Sequence, residues 1–283
     1  MESFVWDQAK QAGASLMRLE AWENTDAGIT AGFTTRIGGV STGCWSSLNM
    51  GLHVGDRNED VVRNRQLLSE AIGWPFEAFT CAEQVHSDNV HIVTVDDMGK
   101  GRDSRHSALQ DTDALITNVR GVLLASFYAD CVPLYFYDPV HEAVGLAHAG
   151  WKGTAAEIAC RTVEAMKKAF GTNPSQLRGA IGPAIGGCCY EVDGPVIGRM
   201  EELCSSFANL TAVDSMIRRT QDGKAMLDLK EINRQIMIKA GILPTHIEIS
   251  TWCTSCRTDL LFSHRAEKGA TGRMASWIGM EKR

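Results

Sequence analysis

The stretch "GVLLASFYADCVPLYFYDPVHEAVGLAHAG", residues 121–150, decides the fold. It holds three apolar runs, "GVLLASFY", "VPLYFYD" and "EAVGLAHAG", parted only by short polar joints. None alternates polar with apolar residues, so each reads as a strand buried on both faces, in a sheet covered on both sides. The runs stop at chemically interesting residues. The first ends at Asp130 and Cys131, and the third closes on His148, set between small residues that leave room to approach it.

Working outward, "AGFTTR", the run from Phe79 to Val95 (broken near Ser87–Asn89), "DALIT", "THIEIS" and "GRMASWIGM" supply further strands. Helical patterns lie between them. "NEDVVRNRQLLSEAIG" places Val61, Val62, Leu68 and Ile72 on one face, with Asn58 as the expected N-cap and Gly73 as the stop. "TAAEIACRTVEAMKKAFG" opens with Thr154 and Glu157 at capping-box spacing and ends on Gly171. "DLKEINRQIMIKAG" repeats the device with Asp228, Glu231 and Gly241. This alternation predicts an α/β chain with a mixed sheet. No linker, low-complexity tract or repeat interrupts it, so residues 1–283 are expected to form one domain.

The 283 residues are 44% hydrophobic and 22% charged, with a formal net charge of −6. No basic stripe is present to neutralise a phosphate backbone, which argues against a nucleic-acid partner. No apolar segment approaches bilayer-spanning length, so no membrane partner is expected. "MESFVWDQAK" lacks the apolar centre of a secretion signal, and nine scattered cysteines do not form a disulfide framework. A reduced, cytoplasmic protein follows. The oligomeric state is not legible.

Chemistry concentrates at three places: His86 in "EQVHSDNV", Cys131 in "YADCVPLYFYDP" and His148 in "GLAHAGWKGT". Two imidazoles and a thiolate suit zinc, which in catalytic sites keeps three protein ligands and an open position. Their separations fit no compact finger, so the grouping depends on the sheet. A buried thiol with ordinary core histidines is the alternative. Cys131, His148 and Asp130 also match a cysteine hydrolase's thiolate, base and orienting acid. "GGCCYEV" (Cys188, Cys189) and "WCTSC" (Cys253, Cys256) could assemble a four-thiolate site, but buried, reduced thiols are the preferred reading. In "TTRIGGVSTG", Arg36 with the backbone of Gly38 and Gly39 is the candidate phosphate site, against a plain tight turn with a surface arginine.

In order along the chain, "TTRIGGVSTG" with "SLNMGLHVGD", "EQVH", "DTDALIT", "ADCVPLYFYDP", "AHAGWKGT", "GPAIGGCCYEV" and "FSHR" with "TGRM" resemble the laccase-domain proteins. This family is also called the multicopper polyphenol oxidases, and many members are regarded as purine nucleoside phosphorylases. The resemblance implies a single three-layer α/β/α domain and a zinc ion on His86, Cys131 and His148. It further implies phosphorolysis of adenosine, inosine, guanosine and methylthioadenosine, and deamination of adenosine. For proton transfer, Glu191, Glu83 and Asp130 are the candidate carboxylates, and Lys152 and Glu191 are expected among the substrate contacts. Lys152 stands where the family commonly has arginine, Ser87 where it has glycine, and His264 and Ala266 where an aromatic residue and a second arginine are common. A lysine lacks the arginine fork, so a contact from position 152 would be a point charge. Copper-dependent phenol oxidation is the rival activity. The chain has eight histidines, none separated from another by a single residue, which disfavours a multicopper centre, although a His–Cys–His set could take up copper.

Overall fold

A computed structural model describes residues 2–7, 13–23, 28–207 and 213–282. The three runs of the deciding stretch are strands Leu123–Tyr128, Val132–Asp138 and Ala143–Ala149, each buried at every position. They do not all share a sheet. Leu123–Tyr128 lies in a six-stranded sheet ordered Val5–Trp6, Leu16–Arg18, Ile29–Thr34, Met274–Met280, Leu123–Tyr128, Phe79–Cys81. The other two lie in a second, ordered Ile247–Ile249, Arg178–Ile181, Val132–Asp138, Ala143–Ala149, Ala114–Thr117, Val90–Ile92. Both are mixed: the first is parallel only at its Phe79–Cys81 edge and the second at both edges, with antiparallel pairing elsewhere. A small antiparallel sheet joins Glu191–Val192, Ala225–Leu227 and Ile217–Arg219.

The expected α/β class with mixed pairing is therefore present, but with two large sheets where one was expected. The reason lies at residues 129–131. Asp130 adopts a left-handed backbone (φ 85°), and there the chain crosses from one sheet to the other. Phe33, Tyr128 and Ile278 of the first sheet pack on Tyr135 and Leu146 of the second. The Tyr135 hydroxyl donates across the interface to the Gly32 carbonyl at 2.8 Å, which satisfies its buried polar group. Helix Asn58–Ile72 covers the outer face of the first sheet. Helices Ile158–Phe170 and Leu229–Lys239 cover that of the second. The layers run helix, sheet, sheet, helix.

Two helix starts differ from expectation. Arg57, not Asn58, is the cap residue, and Asn58 is the first helical residue. The Thr154–Glu157 capping box does not form. A short helix already spans Trp151–Ala155, Glu157 turns left-handed (φ 56°), and Thr154 Oγ1 accepts from Asn233 Nδ2. The stops at Gly73 and Gly171 and the Asp228 cap, which accepts from Glu231 N–H, are as expected. Among the described residues no helix is long and apolar enough to cross a membrane.

Candidate active site

Three strand ends converge where the two sheets meet. His86 follows the Phe79–Cys81 strand of the first sheet, Cys131 sits on the crossing, and His148 closes the Ala143–Ala149 strand of the second. Their ligand atoms all lie within 4.8 Å of one another. Cys131 Sγ is 3.9 Å from His86 Nε2, and the two imidazole rings meet edge to face at 4.8 Å.

One carboxylate arranges this set. Asp113 Oδ1 is 2.9 Å from His148 Nδ1, which leaves Nε2 as the free ring nitrogen. Asp113 also accepts from the backbone N–H groups of Val85, His86 and Ser87 at 3.1, 3.0 and 2.7 Å, and from the Ser87 hydroxyl. Those bonds hold His86 in the left-handed region (φ 63°), an uncommon conformation for a side-chain-bearing residue. Gly150 supplies space: a Cβ there would lie 2.8 Å from His86 Cδ2 and 3.1 Å from Cys131 Sγ.

The electrostatics follow from the geometry. Burial alone would raise the Cys131 thiol pKa, but His148 and His86 outweigh it and hold the thiol below its usual range. Burial would lower His148, yet the sulfur and Asp113 raise it. Asp113 is itself depressed, because its bonds to His148 and to the 87 region overcome desolvation. A thiolate and two imidazoles with ring orientation fixed by a carboxylate form a borderline-soft donor set. It fits a single zinc ion with one coordination position open.

Two cavities meet at these residues, one of about 490 Å³ and one of about 260 Å³. His86, Asp130, Cys131, Trp151 and Tyr190 line both. The larger is cationic, with Arg65, Arg105, Arg265 and Arg273 on its wall. Arg65 is structural: its buried guanidinium donates to the carbonyls of Met50, Gly101 and Arg102 and stacks on Phe127. Arg105 pairs with Glu83, and Arg265 lies over the Tyr190 ring. The smaller cavity adds Ile185, Leu229, Gly150 and Lys152.

The residues singled out from sequence therefore divide. His86, Cys131, His148, Asp130, Glu83 and Lys152 all reach a cavity. Arg36, Gly38 and Gly39 do not. The Arg36 guanidinium bonds Thr258 and Ser46 carbonyls and Glu267, and it stacks on Phe262. The N–H groups of Gly38 and Gly39 both donate to Ser47 Oγ, and a Cβ on Gly38 would fall 1.9 Å from the Gly13 carbonyl oxygen. The turn is tightly packed, the Gly38 and Gly39 N–H groups are already bonded, and it lines neither cavity, which weighs against it as a phosphate site. Glu191 is likewise displaced: its carboxylate pairs with Lys224 at 2.8 Å, on the small sheet and off both cavities. Asp130 is not the acid that orients His148, since its oxygens accept from Thr254 Oγ1 and Arg265 N–H. Asp113 holds that position. Sequence reading passed over it inside "DTDALIT", and also over Arg105, Arg273, Trp151 and Tyr190. Arg273 stood in the quoted "TGRM", which was the available signal.

Residues 30–281 match the family described as multi-copper polyphenol oxidoreductase laccase. The chain is 42% identical to "Purine nucleoside phosphorylase YlmD" of Bacillus subtilis over 271 residues, covering 95% of each chain. It is 46% identical to the protein of the same name from Geobacillus stearothermophilus, covering 89% of this chain and 90% of that one. Among solved structures, YlmD from Geobacillus stearothermophilus superposes with a TM-score of 0.91 at 43% identity over the whole of both chains. The hypothetical protein YfiH of Bacillus licheniformis gives 0.90 at 41%, covering 98% of this chain and 99% of that one. The chain belongs to the laccase-like multicopper polyphenol oxidoreductase family, and its curated relatives carry the name purine nucleoside phosphorylase.

Proposed function

We propose that residues 1–283 act as one domain, a cytoplasmic, zinc-dependent purine nucleoside phosphorylase. Its substrates are adenosine, inosine, guanosine and methylthioadenosine with inorganic phosphate, and it also deaminates adenosine. The observation that carries this reading is the three-ligand set of His86, Cys131 and His148 at the junction of an arginine-lined and an aromatic-lined cavity. The names of its relatives point the same way.

Bound zinc supplies Lewis acidity for activating water toward C6 of adenine. The protein's own groups do the rest. Trp151, Ile185, Tyr190 and Leu229 offer flat and aliphatic surface for a purine. Arg273, whose Nη1 is held by the Thr271 and Gly272 carbonyls, and Arg105 face the larger cavity and supply the charge that holds a phosphate dianion. Phosphorolysis exchanges the C1′–N9 bond for a C1′–O bond, so that phosphate must lie against the anomeric carbon. Phosphate on Arg105 competes with Glu83 for the guanidinium, releasing the Glu83 carboxylate to hold a proton. Lys152 contributes a point charge at the rim of the smaller cavity.

Chromatography of products from adenosine, with and without phosphate, tests the proposal. Adenine is expected only with phosphate, and inosine in either sample. Adenosine recovered intact from zinc-loaded protein in both samples overturns it.

The same donors support two other activities. Two imidazoles and a thiolate also suit copper, and the family description names a polyphenol oxidoreductase. Intense copper(II)–thiolate colour together with phenol turnover would favour that reading. Cys131, His148 and Asp113 also align as a cysteine hydrolase's nucleophile, base and orienting acid. Activity indifferent to chelators and abolished by thiol alkylation would favour it.

A further inference from the structure

The fold gathers a second cluster of soft ligands away from the cavities just described. The Arg178–Ile181 and Ile247–Ile249 strands pair in parallel, and the pairing continues in a bridge between Ala184 and Cys253. The loops leaving this edge carry Cys188 and Cys189 on one side and Cys253 and Cys256 on the other. All four sulfurs lie within 4.8 Å of one another. Cys256 Sγ is 3.6 Å from Cys188 Sγ and 3.4 Å from Cys189 Sγ. This corrects the expectation of separate buried thiols: the four are together, and Cys188 and Cys256 are exposed.

We propose that Cys188, Cys189, Cys253 and Cys256 bind one structural zinc ion as a four-thiolate site. A zinc–sulfur bond of about 2.3 Å places tetrahedral ligands roughly 3.8 Å apart, close to the spacing found. A disulfide would require sulfurs at about 2.0 Å, and here Cys256 approaches two neighbours rather than one. The surroundings suit a bound anionic sulfur cage. The Gly186 N–H donates to Cys253 Sγ at 3.2 Å. A Cβ on Gly186 would lie 3.2 Å from Cys188 Sγ and 3.4 Å from Cys253 Cβ, so the glycine leaves the cage its room. Lys230 lines the same cleft as Cys188 and Cys253, its ammonium held by the Ser250 and Trp252 carbonyls, and Asp228 and Arg218 line it too. Four protein ligands leave no open position, so the ion would be a staple, not a catalyst. It would tie together two loops, one of which continues into Tyr190 on the wall of both cavities.

Metal content of the full-length chain, purified under reductant from zinc-supplemented cells, tests this. Wild type is expected to carry one zinc equivalent per chain more than Cys253→Ser/Cys256→Ser. His86→Ala/His148→Ala is expected to retain that equivalent, which separates this site from the one in the proposed function. Because the serine variant could fail to fold, cobalt(II) is also titrated into metal-stripped His86→Ala/His148→Ala. One equivalent is expected to give the strong sulfur-to-cobalt charge-transfer and visible bands of a tetrahedral four-thiolate site. Absence of those bands overturns the proposal. So does equal zinc in wild type and a folded serine variant, iron in place of zinc, or a disulfide among these cysteines in the reduced preparation.

Discussion

The two sulfur-bearing clusters differ in what surrounds them, and the difference separates the proposed reacting centre from the proposed fastening. The His86–Cys131–His148 set has three ligands, a carboxylate behind one imidazole and a cavity on either side. The Cys188–Cys189–Cys253–Cys256 set has four thiols, a backbone N–H on one sulfur and no carboxylate among its grouped ligands. An incomplete shell with an oriented base can bind and activate something else, whereas a filled shell only holds what is already there.

The largest expected effect falls on the incomplete shell. Cys131→Ser or His148→Ala should reduce kcat/KM for phosphorolysis by about 1000-fold or more while circular dichroism stays native. A loss under about tenfold would remove the contrast between the clusters. Next, Arg273→Ala should weaken transition-state stabilisation by on the order of 100-fold, expressed mainly in the phosphate dependence. Arg36→Ala should leave that dependence near wild type and instead lower the melting temperature, because the guanidinium ties the turn to half-buried Glu267 and Thr258 far along the chain. Equal phosphate defects in both variants would restore the turn at residues 36–39 as the anion site.

Asp113→Asn should weaken zinc at the three-ligand set by roughly 10- to 100-fold in a competition titration, since the amide cannot serve His148 and the 85–87 loop as the carboxylate does. The smallest effect is a pH dependence. The Asp113 carboxyl is held below its unfolded value, so the unfolded chain binds its proton first as pH falls. Its stabilisation is thus complete at neutral pH and is lost below about pH 4. The gap in melting temperature between wild type and Asp113→Asn should shrink across that range. A gap constant down to pH 2 would place the effect elsewhere.

Much of this was legible locally. The Val132–Asp138 strand was visible because burial on both faces demands an unbroken apolar run, and the Asp228 cap because its partner is three residues away. What escaped was decided by distant chain. The Thr154–Glu157 spacing imitates a cap, but Asn233 claims the threonine hydroxyl. Arg36 looked available because Glu267, its partner, lies 231 positions along the chain. Asp113 was hidden because a carboxylate that collects three backbone N–H groups and an imidazole has no signature in its own neighbourhood. The three zinc-ligand candidates were legible as types, and their convergence depended on the crossing at Asp130.

That crossing has a further consequence. His148 closes a strand of the second sheet, whereas Cys131 and His86 lie on connections that run from the first sheet to the second, so the set works as a gauge of how the sheets are aligned. Repacking at Tyr128 or Tyr135, deep in the shared interface, would be registered at the ligands even though Tyr135 lines neither cavity. That interface, aromatic as much as aliphatic, should therefore tolerate less variation than burial alone would require, because a slide of one sheet against the other moves the ligands apart.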